Sequence, residues 1–277
     1  MRIYGIDFTS RPKRSKPITC LAARLDGTHL KAEDLTEWRS FEGLEAFLKS
    51  AGPWIVGIDF PFGQSRKLIE NLNWPSSWQG YVTHVKSLTR AQFRQTLDSY
   101  RANRKSGDKE HKRQTDIAAG AISPQKLYGT PVGLMFFEGA PRLLEAGVTI
   151  PHVYQGDPNR IVIEAYPGIM ARTLIGRRSY KQDTKKKQTS IQHDARKELL
   201  EKITGPAITK LNGLSVSAPQ SLADDPTGDQ LDALLCAIQA AWAWTKRSEG
   251  YGAPQGTDTL EGWIADPAIN IGKHNSL

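Results

Sequence analysis

Three apolar runs of the sequence each end in a carboxylate, and this pattern constrains the fold more than any other feature. The acids are Asp7, Asp59 and Glu164, which follow residues 2–6, 55–58 and 161–163. Short apolar runs of this kind predict buried strands, and carboxylates are rarely buried without a partner. The carboxyl ends of parallel strands gather at one edge of a sheet, where ligands usually bind. We therefore expect the three acids to lie at or near a common edge.

A further acidic pair, Asp229 and Asp232, lies in a segment with the periodicity of a helix. Asp225-Pro226 is a typical helix start, and residues three positions apart share a helix face. Together with the strand acids, this pair could hold one or two hard divalent cations such as Mg²⁺. Two alternatives stay open. Asp229 falls in a first helical turn, where any acid is favoured, and Glu164 could instead pair with Arg172 or Lys181.

The order of the remaining patterns predicts an α/β fold with an inserted segment. Strands are expected at residues 2–8, 18–25, 29–38, 54–58 and 160–165, and helices at 41–50, at 192–203 and from 225 onward. Residues 1–63 and 160–249 are expected to form a discontinuous core. Residues 64–159, between the fourth and fifth strands, are expected to be a helical basic insertion or lid, and 250–277 a surface tail.

Positive charge is concentrated in two parts of the chain. The sequence has 37 Lys and Arg against 29 Asp and Glu. Residues 86–113 contain nine basic and three acidic side chains, and a second basic cluster lies at 172–187. Such a segment is usually a solvated helical face, but beside a metal site its basic side chains can also bind phosphate groups. Nucleic acid, or another phosphorylated substrate, is therefore the expected partner.

Several classes of protein are disfavoured by what the sequence lacks. No apolar stretch is long enough to span a bilayer, and the N-terminus does not have the layout of a signal peptide. The two cysteines are typical of buried thiols in a reducing compartment, so a cytoplasmic location is expected. The six histidines lack metal-ligand spacing, and no zinc-hydrolase, serine-hydrolase, dinucleotide-binding or P-loop motif occurs.

Five short motifs together resemble the DUF429 family. They are Gly5-Ile6-Asp7, residues 58–63, residues 164–167, Tyr180-Lys181 and residues 229–233. Family members are described as predicted nucleases of ribonuclease H-like fold, so the resemblance implies a mixed sheet flanked by helices. It also implies that Asp7, Asp59 and Asp232 bind Mg²⁺ or Mn²⁺, with Glu164 as a further metal ligand and Asp229 as a further catalytic residue.

The same resemblance makes Tyr180 and Lys181 candidates for substrate binding. Arg113 and Arg172, one from each basic cluster, are the other two candidates. The leading interpretation is a metal-dependent nuclease that hydrolyses phosphodiester bonds. One alternative is a phosphotransferase of the actin/sugar-kinase type, which begins with a similar strand. Another is a non-catalytic nucleic-acid-binding or scaffold protein whose acids serve stability. The oligomeric state stays open.

Overall fold

The computed structural model describes residues 1–269, which form an α/β fold around a seven-stranded mixed sheet. The strands are β1 (Arg2–Asp7), β2 (Ile18–Asp26), β3 (His29–Trp38), β4 (Trp54–Ile58), β5 (Val148–Thr149), β6 (Asp157–Glu164) and β7 (Ser215–Ser217). The helices are α1 (Phe41–Leu48), α2 (Arg66–Asn71), α3 (Trp78–Ser87), α4 (Arg90–Ala102), α5 (Gln114–Ala119), α6 (Val132–Ala146), α7 (Pro167–Ile175), α8 (Ser190–Thr204), α9 (Pro206–Asn212) and α10 (Asp229–Thr245). No helix in this part of the chain is both long enough and apolar enough to cross a bilayer.

The strands lie in the order β5-β6-β4-β1-β2-β3-β7. Strands β1, β2 and β3 form an antiparallel meander, whereas β4 pairs in parallel with both β1 and β6. The short strands β5 and β7 add parallel partners at the two sides of the sheet. The predicted α/β class, with a mixed sheet flanked by helices, is confirmed. The carboxyl ends of β1, β4 and β6 therefore face the same edge.

Two strands and several boundaries differ from the prediction; the last long helix, expected from residue 225, begins at Asp229 after a turn that ends at Gly228. The sequence pattern does not reveal β5 or β7, because two or three residues are too few to show a periodicity of two. The strand expected fifth, at 160–165, is the sixth and begins earlier, at Asp157. The inserted helices α2 to α6 thus lie between β4 and β5.

Helix α10 packs directly onto β1 and β4 through two glycines. Gly5 and Gly57 are register partners in these strands. A Cβ atom on Gly5 would lie 2.0 Å from the carbonyl oxygen of Ala233, and one on Gly57 would lie 2.4 Å from that of Cys236. Only glycine permits this approach of helix backbone to sheet backbone. The close packing sets the depth at which α10 presents its side chains to the sheet edge.

The inserted helices share a core with the opposite face of the sheet. Ile6 and Ile58 belong to the same buried cluster as Trp74 and Trp78 from the insertion. Both tryptophans are largely buried, and the indole of Trp78 donates a 2.7 Å hydrogen bond to the carbonyl oxygen of Phe62. These two aromatic rings therefore stabilise the fold as part of a local core, and their burial does not leave them free to stack on bases.

The segment after residue 250 is not confined to the surface. Leu260, Trp263 and Ile264 are buried, and the amide of Ala265 donates a 2.8 Å hydrogen bond to the carbonyl oxygen of Glu164. Large apolar side chains make this segment pack into the core despite its glycines and prolines. The part of the predicted tail at 270–277 lies outside the described residues.

Candidate metal centre

Strand register places Asp7 and Asp59 level with each other at the edge of the sheet. Ile6 pairs with Ile58, and each aspartate is the next residue along its chain. The amide of Asp59 continues the ladder through a 3.0 Å hydrogen bond to the carbonyl oxygen of Ile6. Because side chains alternate between faces, both carboxylates lie on the face that carries Gly5 and Gly57. This is the face covered by α10.

Helix α10 contributes a third carboxylate, Asp232, which is fully buried. One carboxylate oxygen from each of Asp7, Asp59 and Asp232 lies within 4.8 Å of the other two. Two oxygens on opposite sides of a Mg²⁺ ion are about 4.2 Å apart, since each lies about 2.1 Å from the ion. A small side-chain adjustment would therefore bring this acid cluster, as we call the three residues, to the spacing of a hard-cation site. All the ligands are oxygens, the donor type that Mg²⁺ and Mn²⁺ prefer.

The electrostatics of the acid cluster favour a bound cation. Burial raises the pKa of Asp7 well above its usual value, and repulsion from Asp229 and Asp232 raises it further. Burial likewise raises the pKa of Asp59 to about 7. Neither carboxylate accepts a hydrogen bond from the described part of the chain. A divalent cation would supply the partner that these buried charges lack.

The raised pKa of Asp59 predicts a specific pH dependence of stability. An ordinary aspartate titrates near 3.8, so between about pH 4 and pH 7 folded Asp59 holds a proton that the unfolded chain has lost. Without divalent cations, stability should therefore fall as the pH rises through this window. Thermal unfolding in EDTA from pH 4.5 to 8 measures it. Asp59→Asn should flatten the profile, and parallel profiles for the two proteins would contradict the prediction.

Two predicted substrate-binding residues contact the cluster directly. Tyr180 donates a hydrogen bond to Oδ1 of Asp232, and the Lys181 ammonium forms an ion pair with Oδ2. Burial alone would lower the pKa of Lys181, but the surrounding carboxylates, Asp232 foremost, raise it well above its usual value. The side chain of Lys181 is 49% exposed, so it spans from the cluster to solvent. It is the one positive charge of the described chain bonded to the cluster.

Asp229 is close to the cluster but is bound to a lysine. Its carboxylate lies 2.8 Å from the ammonium of Lys16, which is also 3.0 Å from Asp183. Burial raises the pKa of Asp229, while Lys16 opposes that shift. Asp229 therefore adds negative charge beside Asp7 and anchors the loop that carries Lys16.

The structure does not bring Glu164 into the cluster. Glu164 pairs in register with Ile58, one residue short of the level of Asp59, so its side chain lies on the opposite face of the sheet. Its carboxylate accepts hydrogen bonds from the Arg113 guanidinium at 2.5 and 2.7 Å and from the Phe62 amide at 2.9 Å. Both oxygens are thus occupied. The sequence left open a pairing of Glu164 with Arg172 or Lys181, but the basic partner in the structure is Arg113.

The predicted substrate-binding arginines occupy different environments. Arg113 is buried and binds Asp116 at 2.7 Å as well as Glu164, so its guanidinium does not reach the acid cluster. Arg172 is partly exposed, donates to the carbonyl oxygen of Ala119 and lies 5.5 Å over the ring of Tyr166. It lines a small cleft that includes Asp59. Of the two arginines, only Arg172 lies where it could contact a molecule bound at the acid cluster.

The acid cluster opens into a cleft of about 890 Å³. Its wall includes Arg11 and Lys13 from the loop after β1, Lys16, and Arg90 from the insertion. Arg90 is held by Glu138 at 2.5 Å. Four of the other eight basic side chains between residues 86 and 113 also have acidic partners, so the basic insertion contributes less free charge to the cleft than its composition suggests.

Sequence reasoning missed the basic residues between β1 and β2. Arg11, Lys13, Arg14 and Lys16 fall within six consecutive positions directly after the first strand and Asp7. That density, next to the first predicted ligand, was an available signal. Asp183, which holds Lys16, is in the sequence only an isolated acid among lysines.

Comparison with known proteins identifies the family. A family model described as "Protein of unknown function (DUF429)" matches residues 5–256, which include every residue of the acid cluster. No curated protein and no solved structure matches the chain. Because the model match covers nearly the whole sequence, the chain belongs to the DUF429 family.

Proposed function

We propose that this DUF429 protein is a nuclease that hydrolyses phosphodiester bonds with Mg²⁺ or Mn²⁺ bound by Asp7, Asp59 and Asp232. The observation that carries the proposal is the convergence of three carboxylates from separate elements, with ligand oxygens within 4.8 Å of one another. Lys181 is their only cationic partner among residues 1–269. Buried carboxylates with strongly perturbed pKa values are concentrated at functional sites, so the mutual repulsion of these three supports a functional role.

The chain order of the sheet supports a ribonuclease H-like fold for the core. The meander β1-β2-β3 is followed by the parallel strands β4 and β6, giving the order β3-β2-β1-β4-β6 for the central strands. The cluster takes its acids from the ends of β1 and β4 and from the long last helix. This is the arrangement that the sequence resemblance implies. Fold alone does not establish chemistry, so the proposal depends on the acid cluster.

The proposed reaction adds water to phosphorus and breaks the bond to one ester oxygen. The products are a phosphate monoester and a hydroxyl group. A carboxylate-bound divalent ion activates water and stabilises charge on the leaving oxygen when it is present. Asp7, whose carboxylate is repelled by those of Asp229, Asp232 and Asp59, would be one of the residues that hold the ion. Tyr180 fixes the orientation of Asp232 by its hydrogen bond to Oδ1.

Lys181 is suited to contact the reacting phosphate. Its ammonium lies at the cluster while its stem is half-exposed in the cleft. A lysine is a compact positive charge on a flexible stem. If Asp232 held a cation, the Lys181 ammonium would be free to bind a phosphate oxygen instead. This role agrees with the substrate-binding assignment that the resemblance implies for Lys181.

A cleavage assay tests the proposed function. Labelled single-stranded and duplex DNA, RNA and bis(p-nitrophenyl) phosphate are incubated with Mg²⁺, Mn²⁺ or EDTA. Cleavage in either metal and none in EDTA is the expected result. Absence of cleavage of every substrate in both metals would reject the nuclease proposal.

Metal binding should also be visible without substrate. A ligand that binds only the folded state stabilises it by RT ln(1 + [L]/Kd), about 2.7 kcal/mol at a hundredfold excess over Kd. We therefore expect Mg²⁺ or Mn²⁺ to raise the melting temperature relative to EDTA. Asp232→Asn should abolish the increase, whereas Asp34→Asn, an exposed change on β3, should retain it. Equal increases in the two variants would place the bound ion elsewhere.

A further inference from the structure

Two clefts meet at the acid cluster. The larger, of about 890 Å³, is lined by the loop after β1, and the smaller, of about 310 Å³, is lined by both ends of α7 and by residues 176–178. Asp59 and Lys181 line both clefts. In the sheet, β1 and β2 lie on one side of β4, while β6, which leads into α7, lies on the other. The two clefts thus share Asp59 and Lys181, with the loop after β1 lining one and α7 lining the other, and we call the two together the groove.

The first side of this groove carries an anchored basic hairpin, residues 10–16. Two backbone hydrogen bonds of 3.0 and 3.1 Å join Lys13 to Lys16, and Lys16 is fixed by Asp183 and Asp229. Arg11 and Lys13 line the cleft. Within residues 1–269, neither has a carboxylate within 4.0 Å. The hairpin thus holds two unneutralised cations beside the cluster.

The second side also presents positive charge. Arg177 is exposed, lines the smaller cleft and has no acidic partner among the described residues. Arg172 lines the same cleft, and its guanidinium is bonded to backbone carbonyl oxygens instead of carboxylates. Arg178 differs, because it is paired with Glu198 at 2.7 Å. Free positive charge therefore flanks the acid cluster on both sides.

We propose that a polynucleotide strand crosses the acid cluster, with its phosphates bound by Arg11 and Lys13 on one side and by Arg172 and Arg177 on the other, and that it is cut internally. This inference rests on the proposed function and specifies its substrate. The distance from β6 to β2 is three strand spacings, about 14 Å. At about 3.4 Å per nucleotide in a stacked strand, that edge faces about four phosphates. A small phosphorylated metabolite would use only one side of the groove.

The shape of the groove favours internal cleavage over cleavage from an end. An enzyme that acts from a strand end needs a wall beyond the reacting phosphate to hold that end. Here both clefts open from Asp59, and each continues to cations without acidic partners among residues 1–269. Bound phosphates on both sides fix the scissile bond within a continuous strand.

Binding measurements test whether both sides hold the strand. Fluorescence anisotropy with single-stranded DNA in Mg²⁺, on an Asp7→Asn background to prevent turnover, should show about tenfold weaker binding for R11E/K13E. The slope of log K against log salt is negative. Its magnitude should decrease by about 1.4 for R11E/K13E, which loses two phosphate contacts, and by about 0.7 for Arg177→Glu, which loses one. K49E/K210E and Lys210→Glu, which change exposed residues outside the groove by the same charge, should leave affinity and slope unchanged. An effect from one side only would overturn the proposal.

Cleavage of a circle tests the internal cut. A covalently closed single strand should be cut at a rate similar to that of its linear form. If the linear strand is shortened from an end while the circle survives, internal cleavage is rejected but the nuclease function stands. If no phosphodiester, including bis(p-nitrophenyl) phosphate, is hydrolysed, the proposed function fails and this inference fails with it.

Discussion

Replacing Asp7 by Asn should abolish metal-dependent cleavage and at the same time stabilise the metal-free protein. Asp7 is 7% exposed, and its pKa is raised well above the usual value by burial and by repulsion from Asp229 and Asp232. At neutral pH, where the unfolded chain carries this charge freely in water, burying Asp7 therefore opposes folding. Asn keeps the shape of the side chain and removes the charge, so the melting temperature in EDTA should rise.

The loss of activity follows from the same charge. A bound metal ion contributes several kcal/mol to transition-state stabilisation, and each 1.36 kcal/mol is a factor of ten in rate. Losing one of three carboxylate ligands should thus lower kcat/KM by about 1,000-fold or more. The rate in Mg²⁺ and the melting temperatures in EDTA and Mg²⁺ measure the two effects. The variant should also lose the stabilisation that Mg²⁺ gives the wild type.

A matched substitution controls for the change of residue type. The control is Asp34→Asn. Asp34 lies on β3, is exposed and makes no ion pair within residues 1–269. This substitution should alter neither activity nor the response to Mg²⁺. If instead Asp7→Asn were destabilised in EDTA and fully active in Mg²⁺, Asp7 would be a structural residue. That result would reject Asp7 as a ligand of the catalytic ion and place the cleavage site elsewhere in the protein.

The convergence of Asp7, Asp59 and Asp232 could be anticipated because strand ends and helix faces are local properties of the sequence. Each strand acid follows an apolar run, and Asp232 lies within the apolar stripe of α10. The depth at which α10 packs on the sheet could not be anticipated in this way. It depends on Gly5 and Gly57 being register partners, and register between distant strands is not a local property.

Glu164 shows how a shift of one residue changes a prediction. The sequence pattern places Glu164 at a strand end, as it does Asp7 and Asp59. In the sheet, however, Glu164 is level with Ile58, the residue before Asp59, so its side chain lies on the other face. Its partner Arg113 is 51 residues away along the chain. A single sequence contains no signal for that pairing, and the same holds for the packing of residues 260–265 into the core.

Replacing Arg113 by Met should destabilise the protein by about 3–5 kcal/mol, the usual cost of removing one partner from a buried ion pair. Arg113 is 1% exposed and binds Asp116, Glu164 and the carbonyl oxygen of Glu261. It thereby joins the insertion, the end of β6 and the C-terminal segment. Met fills a similar volume but leaves two buried carboxylates without a partner. Urea denaturation measures the loss of unfolding free energy.

A compensating variant separates the ion pairs from the packing. In R113M/D116N/E164Q the two carboxylates become neutral amides, and the amide oxygen introduced by E164Q can still accept the hydrogen bond from the Phe62 amide. Most of the lost stability should return, because a neutral buried group avoids the desolvation cost of an unpaired charge. Arg94→Met, an exposed change on α4, is the control for replacing an arginine and should change stability by less than about 0.5 kcal/mol.

The Arg113 variants also decide between a structural and a substrate-binding role. If Arg113 acts through the fold, the compensated variant regains both stability and nucleic-acid affinity, since its guanidinium does not reach the acid cluster. If Arg113 binds substrate, the compensated variant regains stability but stays weak in binding, with a reduced salt slope. The buried ion pairs with Asp116 and Glu164 lead us to expect the first result.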